Sequence, residues 1–97
     1  MCGISVAIGW ADADSTVKKL LQGILHRGDV TDPVVSFRKD TAMGTRRLRI
    51  VDAEHATQPQ LSFDRRIAVA FNGEIYNRGP IASASWSGST EIWLPVC

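Results

Sequence analysis

The chain has 97 residues, of which 44% are apolar and 22% are charged, and its net charge is +1. This length allows one domain at most, and the composition is ordinary for a soluble globular protein. The near-neutral charge gives no reason to expect a nucleic acid or a membrane surface as a partner. We expect no signal peptide, because no basic region precedes a long apolar run, and no membrane span, because no apolar stretch is long enough to cross a bilayer.

Cysteine usage gives a further expectation. The two cysteines, Cys2 and Cys97, lie at opposite ends of the chain and form no Cys-x-x-Cys spacing. Neither a zinc site nor a redox pair is predicted, and a metal site is not expected from the two histidines or the scattered aspartates either. A disulfide framework is not expected, so a reducing cytoplasm fits the chain best.

The first half of the chain shows clear periodicity. Residues 3–10 alternate between bulky and small side chains, which predicts a strand with something packed closely on its small face. Residues 15–26 carry apolar side chains at helical spacing, with Asp14 or Ser15 as the cap and Gly28 beyond the end. Residues 34–37 and 42–51 are strand candidates.

The second half is less regular. Residues 52–60 form a polar connection that ends at Gln58-Pro59. Residues 67–71 again alternate bulky with small, so we expect them in the same sheet as the first strand. From Gly79 onward the chain is rich in serine and alanine and has no clear period.

Cys2 is the most informative single residue. Removal of Met1 would give Cys2 a thiol and a free α-amine, whose unperturbed pKa is about 8. Because the thiolate is the nucleophilic form, such a residue can carry both nucleophile and base without a catalytic histidine. On position alone, a cysteine that merely follows the start codon explains the observation better, and the remaining motifs reverse that balance.

Two other motifs each allow two interpretations. Asn72-Gly73 after a strand is typical of a hairpin turn, but an amide and a glycine N–H can also converge on one oxygen as an oxyanion hole. Arg46-Arg47-Leu48-Arg49 is typical of a solvated strand edge, but one guanidinium could instead hold a carboxylate through two hydrogen bonds. Nothing local chooses among the three arginines.

Four segments in order resemble a class II glutamine amidotransferase domain, an N-terminal-nucleophile hydrolase, and within that class the glutamine-hydrolysing asparagine synthetases. The resemblance covers residues 1–77 and leaves 78–97 as a divergent tail of one partial domain. The segments are Met1-Cys2-Gly3-Ile4, Leu25-His26-Arg27-Gly28-Asp29, Arg47-Leu48-Arg49-Ile50-Val51-Asp52 with Gln58-Pro59 following, and Phe71-Asn72-Gly73-Glu74-Ile75-Tyr76-Asn77.

The resemblance implies a fold and a set of roles. The fold is α+β, an αββα sandwich of the N-terminal-nucleophile hydrolase type, with about the first half present. Cys2 would be the nucleophile, with its own α-amine as base through a water. The implied oxyanion donors are Asn72 and Gly73, and the implied glutamine-binding residues are Arg47 for the α-carboxylate, Ile50 and Val51 through their backbone, and Glu74 for the amino group.

The resemblance also implies partners. Glutamine would be the substrate, and a synthetase domain or chain would receive the ammonia to make asparagine. ATP and magnesium would belong to that synthetase domain, so no cofactor is expected in this chain. Because an open sheet edge and an uncovered apolar face are prone to association, we expect a marginal or self-associating protein.

The chain departs from the family pattern in two places. The family has a proline between the positions of Gly28 and Asp29, and Gly88-Ser89-Thr90-Glu91 lacks the aspartate of the family's Ser-Asp-Thr-Glu segment. A frameshifted or truncated end explains the tail better than a natural shortening. A non-catalytic remnant or interaction module therefore stays open beside the enzyme, and a small all-β binding domain ranks third because it leaves the motif order unexplained.

Overall fold

The computed structural model describes residues 2–48, 57–73 and 76–77. Its elements combine one α-helix with short antiparallel strands, which confirms the predicted α+β class at this level. In chain order they are β1 (Gly3–Ile8), α1 (Ala13–Gly23), a 3₁₀ turn (Leu25–Arg27), β2 (Val30–Thr31), β3 (Val35–Phe37), β4 (Thr41–Arg47), β5 (Gln60–Leu61) and β6 (Ala68–Val69). Within the described part of the chain, no helix has the length and apolar character needed to cross a membrane.

The main sheet is organised around β4. One edge of β4 pairs antiparallel with β1, from Gly3 opposite Arg46 to Ile8 opposite Thr41. The other edge pairs with β2 and then with β3. Between these two short ladders, residues 32–34 lie opposite only two residues of β4, so the edge carries one extra residue, as in a β-bulge. Pro33 falls within this interruption, where a missing backbone N–H costs no ladder bond.

The core lies between α1 and the small-residue face of the sheet. Val17 and Leu21 on the helix are fully buried, and Ala7 and Ala42 oppose them from β1 and β4. A Cβ at Gly44 would lie 2.8 Å from Leu21 Cδ1, so the helix packs closer than a larger residue at that position would allow. The sequence prediction that something packs closely on the small face of β1 is therefore confirmed. Each fully buried apolar side chain contributes about 1.5–3 kcal/mol.

The bulky face of β1 points away from α1 and stays open. Ile4, Val6 and Ile8 are 40%, 41% and 76% exposed. Their cross-strand partners on β4 are Thr45, Met43 and Thr41, so this face of the sheet continues onto β4. The described residues therefore build one helix-covered face and one face with exposed apolar side chains.

The helix begins and ends earlier than its periodicity predicted. The predicted span was 15–26, whereas α1 runs from Ala13 to Gly23 and the 3₁₀ turn follows it. Asp12 occupies the N-cap without a side-chain cap bond, and Asp14 instead pairs with Lys18 within the helix. The prediction of Asp14 or Ser15 as the cap is thus wrong, because Asp14 already lies inside the first turn.

The strand predicted at residues 67–71 belongs to a different sheet from β1. Only Ala68 and Val69 form a strand, and they pair with β5 in a separate two-stranded sheet. A tight turn connects the two strands, in which Ser62 N donates to Ile67 O at 2.9 Å and Ile67 N donates to Ser62 Oγ at 3.0 Å. The expected pairing in one sheet is wrong, because this local turn closes β6 onto β5.

Several predicted features fall outside the described residues. These are the end of the strand predicted at 42–51, most of the polar connection 52–60, Glu74-Ile75 and the tail from residue 78. The end of the polar connection is described: Gln58 and Pro59 are buried, and the peptide bond between them is cis.

Candidate active site

Cys2 lies directly before β1 and is 2% exposed. The backbone N–H of Leu48, just past the end of β4, donates to Cys2 Sγ at 3.4 Å. The antiparallel register of β1 and β4 explains this contact, because it brings the start of β1 beside the end of β4.

The sulfur of Cys2 takes part in a disulfide in this structure. The sequence has one other cysteine, Cys97, which lies outside the described residues. The sequence did not predict this bond, because two cysteines at opposite ends gave no reason to expect a disulfide framework. Reduction must precede any reaction that uses Cys2 as a nucleophile, because only a thiol can lose its proton to give the thiolate.

A cavity of about 330 Å³ opens beside Cys2. This volume lies at the small end of the roughly 300–1,000 Å³ range of ligand sites. Polar and charged groups share its wall with apolar ones, which is the usual make-up of a small-molecule site. The lining residues are Cys2, Gly3, Ile4, Ile24, His26, Arg27 and Asn72.

Gly28 brings the wall carrying His26 and Arg27 against β4. A Cβ at Gly28 would overlap the backbone carbonyl group of Arg47, so only glycine permits this approach. Asp29 N then donates to Arg47 O at 3.0 Å, which fixes the chain beside the end of β4. Arg27 Nη2 in turn donates to Cys2 O at 3.3 Å, so a cation lies next to the predicted nucleophile.

Arg46 secures the same loop from the sheet. Its Nε donates to Gly28 O at 2.9 Å and lies 3.2 Å from Leu25 O, and its Nη1 donates to Thr31 Oγ1 at 2.8 Å. These bonds show that Arg46, one of the three neighbouring arginines, has a structural role. The third, Arg49, lies outside the described residues.

Asn72 and Gly73 follow β6 without forming a strand. Asn72 lines the cavity, whereas Gly73 is next to it with a φ of +155°. A Cβ at Gly73 would also lie 3.0 Å from the Phe71 ring. Both the backbone conformation and the space beside Phe71 therefore favour glycine at this position.

Arg47 is bound to Asp32 and does not line the cavity. Its Nε donates to Asp32 Oδ2 at 2.8 Å and its Nη2 donates to Oδ1 at 3.1 Å, with both residues 4% exposed. Asp32 also accepts from Gln58 N at 3.0 Å, and Thr45 Oγ1 lies 3.1 Å from Oδ2. This bidentate buried pair has the guanidinium–carboxylate geometry that the sequence offered as the alternative to a solvated strand edge, but the carboxylate belongs to the protein.

The predicted site residues are therefore distributed as follows. Cys2 and Asn72 line one cavity, Gly73 adjoins it, Arg47 lies in a buried ion pair, and Ile50, Val51 and Glu74 lie outside the described residues. Sequence reasoning gave no role to Arg27, although the Leu25–Asp29 motif contained it. It also missed Asp32, for which no local signal exists.

In chain order, a cysteine precedes the first strand and an Asn-Gly follows a later strand beside the same cavity. The comparison with known proteins agrees with this arrangement. Residues 1–87 match the family of glutamine amidotransferase domains. The chain belongs to this family. The match confirms the family recognised in the sequence and extends past residue 77, where the resemblance was expected to stop.

Curated relatives of the chain include asparagine synthetases. The chain is 39% identical over 82 residues to a glutamine-hydrolysing asparagine synthetase of Triphysaria versicolor, covering 79% of this chain and 14% of the relative. It is also 39% identical over 67 residues to asparagine synthetase 1 of Bacillus subtilis, covering 69% of this chain and 10% of that protein. The chain thus spans about a seventh or less of the relatives that it matches. No solved structure matches it significantly.

Proposed function

We propose that this chain is the nucleophile-bearing part of a glutaminase that hydrolyses glutamine to glutamate and ammonia. The observation that carries the proposal is the shared cavity of Cys2 and Asn72. Cys2 has a sulfur that becomes a nucleophile once it is reduced, and Asn72 has a primary amide that can donate to a developing oxyanion.

The reaction follows from these groups. With Met1 removed and Cys2 reduced, the α-amine accepts the thiol proton through a water, and the thiolate attacks the side-chain amide carbon of glutamine. The Asn72 amide and the Gly73 N–H stabilise the oxyanion of the tetrahedral intermediate. The amide nitrogen takes up a proton and leaves as ammonia, and water then hydrolyses the thioester to release glutamate and the thiol.

Two arginines are candidates for the glutamine α-carboxylate. The family motif favours Arg47, and Ile50, Val51 and Glu74 would complete that pocket. Position in the cavity favours Arg27, because two donors of Arg47 are already bound to Asp32. We propose Arg47 as the carboxylate-binding residue in a complex with the rest of the pocket, and Arg27→Gln and Arg47→Gln measured side by side test the choice. A larger rise in KM for Arg27→Gln would assign the carboxylate to Arg27.

We further propose that the domain adopts the αββα sandwich of the N-terminal-nucleophile hydrolases and that a synthetase domain receives the ammonia for asparagine formation. The helix-covered sheet supports the sandwich, since a second sheet would cover the exposed apolar side chains of β1 on the other face. The names of the relatives support the ammonia acceptor.

The test is intact mass spectrometry after incubation with a diazoketone analogue of glutamine under reducing conditions, with Cys2→Ala as the control. We expect a single adduct on a chain lacking Met1 and none on the control. Asn72→Ala should still bind glutamine but lose about 100- to 1,000-fold in turnover. A reduced chain that lacks Met1 and takes no label would favour the non-catalytic remnant, and near-normal turnover of Asn72→Ala would exclude the proposed oxyanion hole.

A further inference from the structure

Gln58 is a fully buried polar residue that forms hydrogen bonds to three separate parts of the fold. Its backbone N–H donates to Asp32 Oδ2 at 3.0 Å, and its carbonyl accepts from Thr45 Oγ1 at 2.9 Å. Its side-chain Oε1 accepts from the backbone N–H of Phe71 at 2.8 Å. We propose that Gln58 is a positioning residue that sets the place of Asn72 in the cavity through this bond to Phe71.

The hydrogen bond from Phe71 N–H to the Gln58 side chain lies beyond the end of β6. β6 stops at Val69, so Phe71 and Asn72 lie beyond the ladder that pairs β5 with β6. The donor is a backbone N–H, so the carboxamide oxygen of Gln58 must face it and the nitrogen cannot. A carboxamide in a fully buried position is costly unless its hydrogen bonds are made, so it is a poor choice for packing alone.

The other end of this connection is anchored in the sheet that carries Cys2. The backbone of Gln58 is bound to Asp32 and Thr45, and Asp32 holds Arg47 through two further bonds. Thr45 and Arg47 belong to β4, which pairs with β1, and β1 begins directly after Cys2. Both the nucleophile and the predicted oxyanion donor are therefore held in place relative to β4. Cys2 is held through the pairing of β1 with β4, and Asn72 is held through Gln58.

The consequence for catalysis follows from the precision that an oxyanion hole needs. A displacement of about 1 Å caused by a change far from the chemistry can cost about 100-fold in rate. Without the Phe71 bond, the Asn72 amide could move relative to Cys2 while the substrate pocket stayed intact. We therefore expect Gln58→Met to lower kcat more than it changes KM, and this expectation rests on the proposed function.

The first measurement does not depend on activity. Amide hydrogen exchange is followed by NMR in the wild type and in Gln58→Met, which keeps the side-chain length and removes the acceptor. Gln60→Met in β5 is the matched control. Loss of one hydrogen bond should speed exchange at Phe71 about tenfold relative to the core amides of β4. Unchanged exchange at Phe71 overturns the proposal. If Gln58→Met does not fold, Gln58→Asn is measured in its stead, because its shorter side chain moves the carboxamide away from Phe71 by one methylene.

The second measurement is a double-mutant cycle with Asn72→Ala on glutamate release under reducing conditions. If Gln58 acts through Asn72, Gln58→Met costs the wild type about 100-fold but the Asn72→Ala background less than about threefold. Equal losses in both backgrounds mean a general structural role and overturn the proposal. A wild type that neither releases glutamate nor takes the diazoketone label overturns the proposed function instead, and the exchange at Phe71 alone then decides the role of Gln58.

Discussion

Arg47 and Asp32 form a two-bond ion pair that is almost completely shielded from water. Removing one partner of a buried pair leaves an uncompensated charge, which costs about 3–5 kcal/mol. Asp32 in addition accepts a bond from Gln58 N, so its charge supports two segments at once. The pair is therefore expected to matter for folding whether or not Arg47 meets a substrate.

Replacing Asp32 tests this expectation. Asp32→Asn keeps the shape of the side chain but removes the charge, so we expect a loss of about 3–5 kcal/mol in the free energy of unfolding measured by urea denaturation. Asp12→Asn is the matched control, because Asp12 is exposed, makes no side-chain cap bond and is replaced by an equally good cap residue. Equal stability of the two variants would contradict the importance of the pair.

Glycine positions provide a second prediction. Gly28→Ala should displace the backbone of Arg47 and Leu48, because the added methyl group overlaps it, and thus disturb the Leu48 N–H bond to Cys2 Sγ. We expect lower stability and a changed rate of Cys2 alkylation by iodoacetamide after reduction.

Gly23→Ala is the control for Gly28. A Cβ at Gly23 meets no atom within 4 Å, and alanine is favoured over glycine in a helix by about 0.5–1 kcal/mol. Gly23→Ala should therefore raise the melting temperature and leave the alkylation rate unchanged. Similar behaviour of the two variants would mean that the close approach at Gly28 is not required.

The pH dependence of α1 yields a third prediction. The hydrogen bond from Lys18, with Nζ 2.6 Å from Asp14 Oδ1, outweighs desolvation and lowers the pKa of Asp14 below its ordinary value of 3.8. A carboxyl whose pKa is lower in the folded state stabilises that state above its unfolded pKa, and this contribution is lost as the pH falls through the folded pKa.

Asp14→Asn should accordingly lower the melting temperature slightly at pH 6. The difference from the wild type should shrink as the pH falls below the ordinary pKa of 3.8 and vanish once the folded state also has Asp14 protonated, because both side chains are then neutral. Because the pair is exposed, added salt should reduce the difference at pH 6 as well. A difference that persists unchanged at low pH would point to packing in place of charge.

The hydrophobic pattern of the sequence predicted those elements whose formation depends on their own residues. The alternation in β1 and the apolar spacing of Val17 and Leu21 follow directly from strand and helix geometry. Strand partners are set by contacts distant in sequence, so the pairing of β6 with β5 could not be read from the similarity of its pattern to β1. The helix end was missed because the apolar residues Ile24 and Leu25 continue the helical spacing into the 3₁₀ turn.

The site divides in the same way. Motif order predicted Cys2 and Asn72 as partners, and the structure places both on one cavity. The pairing of Arg47 with Asp32 depends on the register of β2 with β4, which continues past Thr31 and puts Asp32 opposite Thr45, on the face that Arg47 shares. Neither this register nor the partner has a sequence signature. From sequence one could predict only that a buried arginine or aspartate needs a partner, and not which residue that partner is.

The open face of β1 leads to the last prediction. Ile4, Val6 and Ile8 present apolar surface, and in the described part of the chain β1 pairs on one edge only, with β4. Exposed apolar strands favour association through the hydrophobic effect, which sulfate strengthens. Sedimentation velocity should therefore show that the reduced chain associates increasingly with concentration and with added sulfate.

Ile8→Thr keeps a β-branched side chain in the strand while removing apolar surface, so it should shift the distribution towards monomer. Leu20→Gln removes exposed apolar surface from the outer face of α1, where Leu20 is 49% exposed, and should leave the distribution unchanged. If both variants weaken association equally, the effect reflects general surface hydrophobicity and not the sheet face. A chain that stays monomeric at every concentration and melts cooperatively would show that the apolar face of β1 does not drive association.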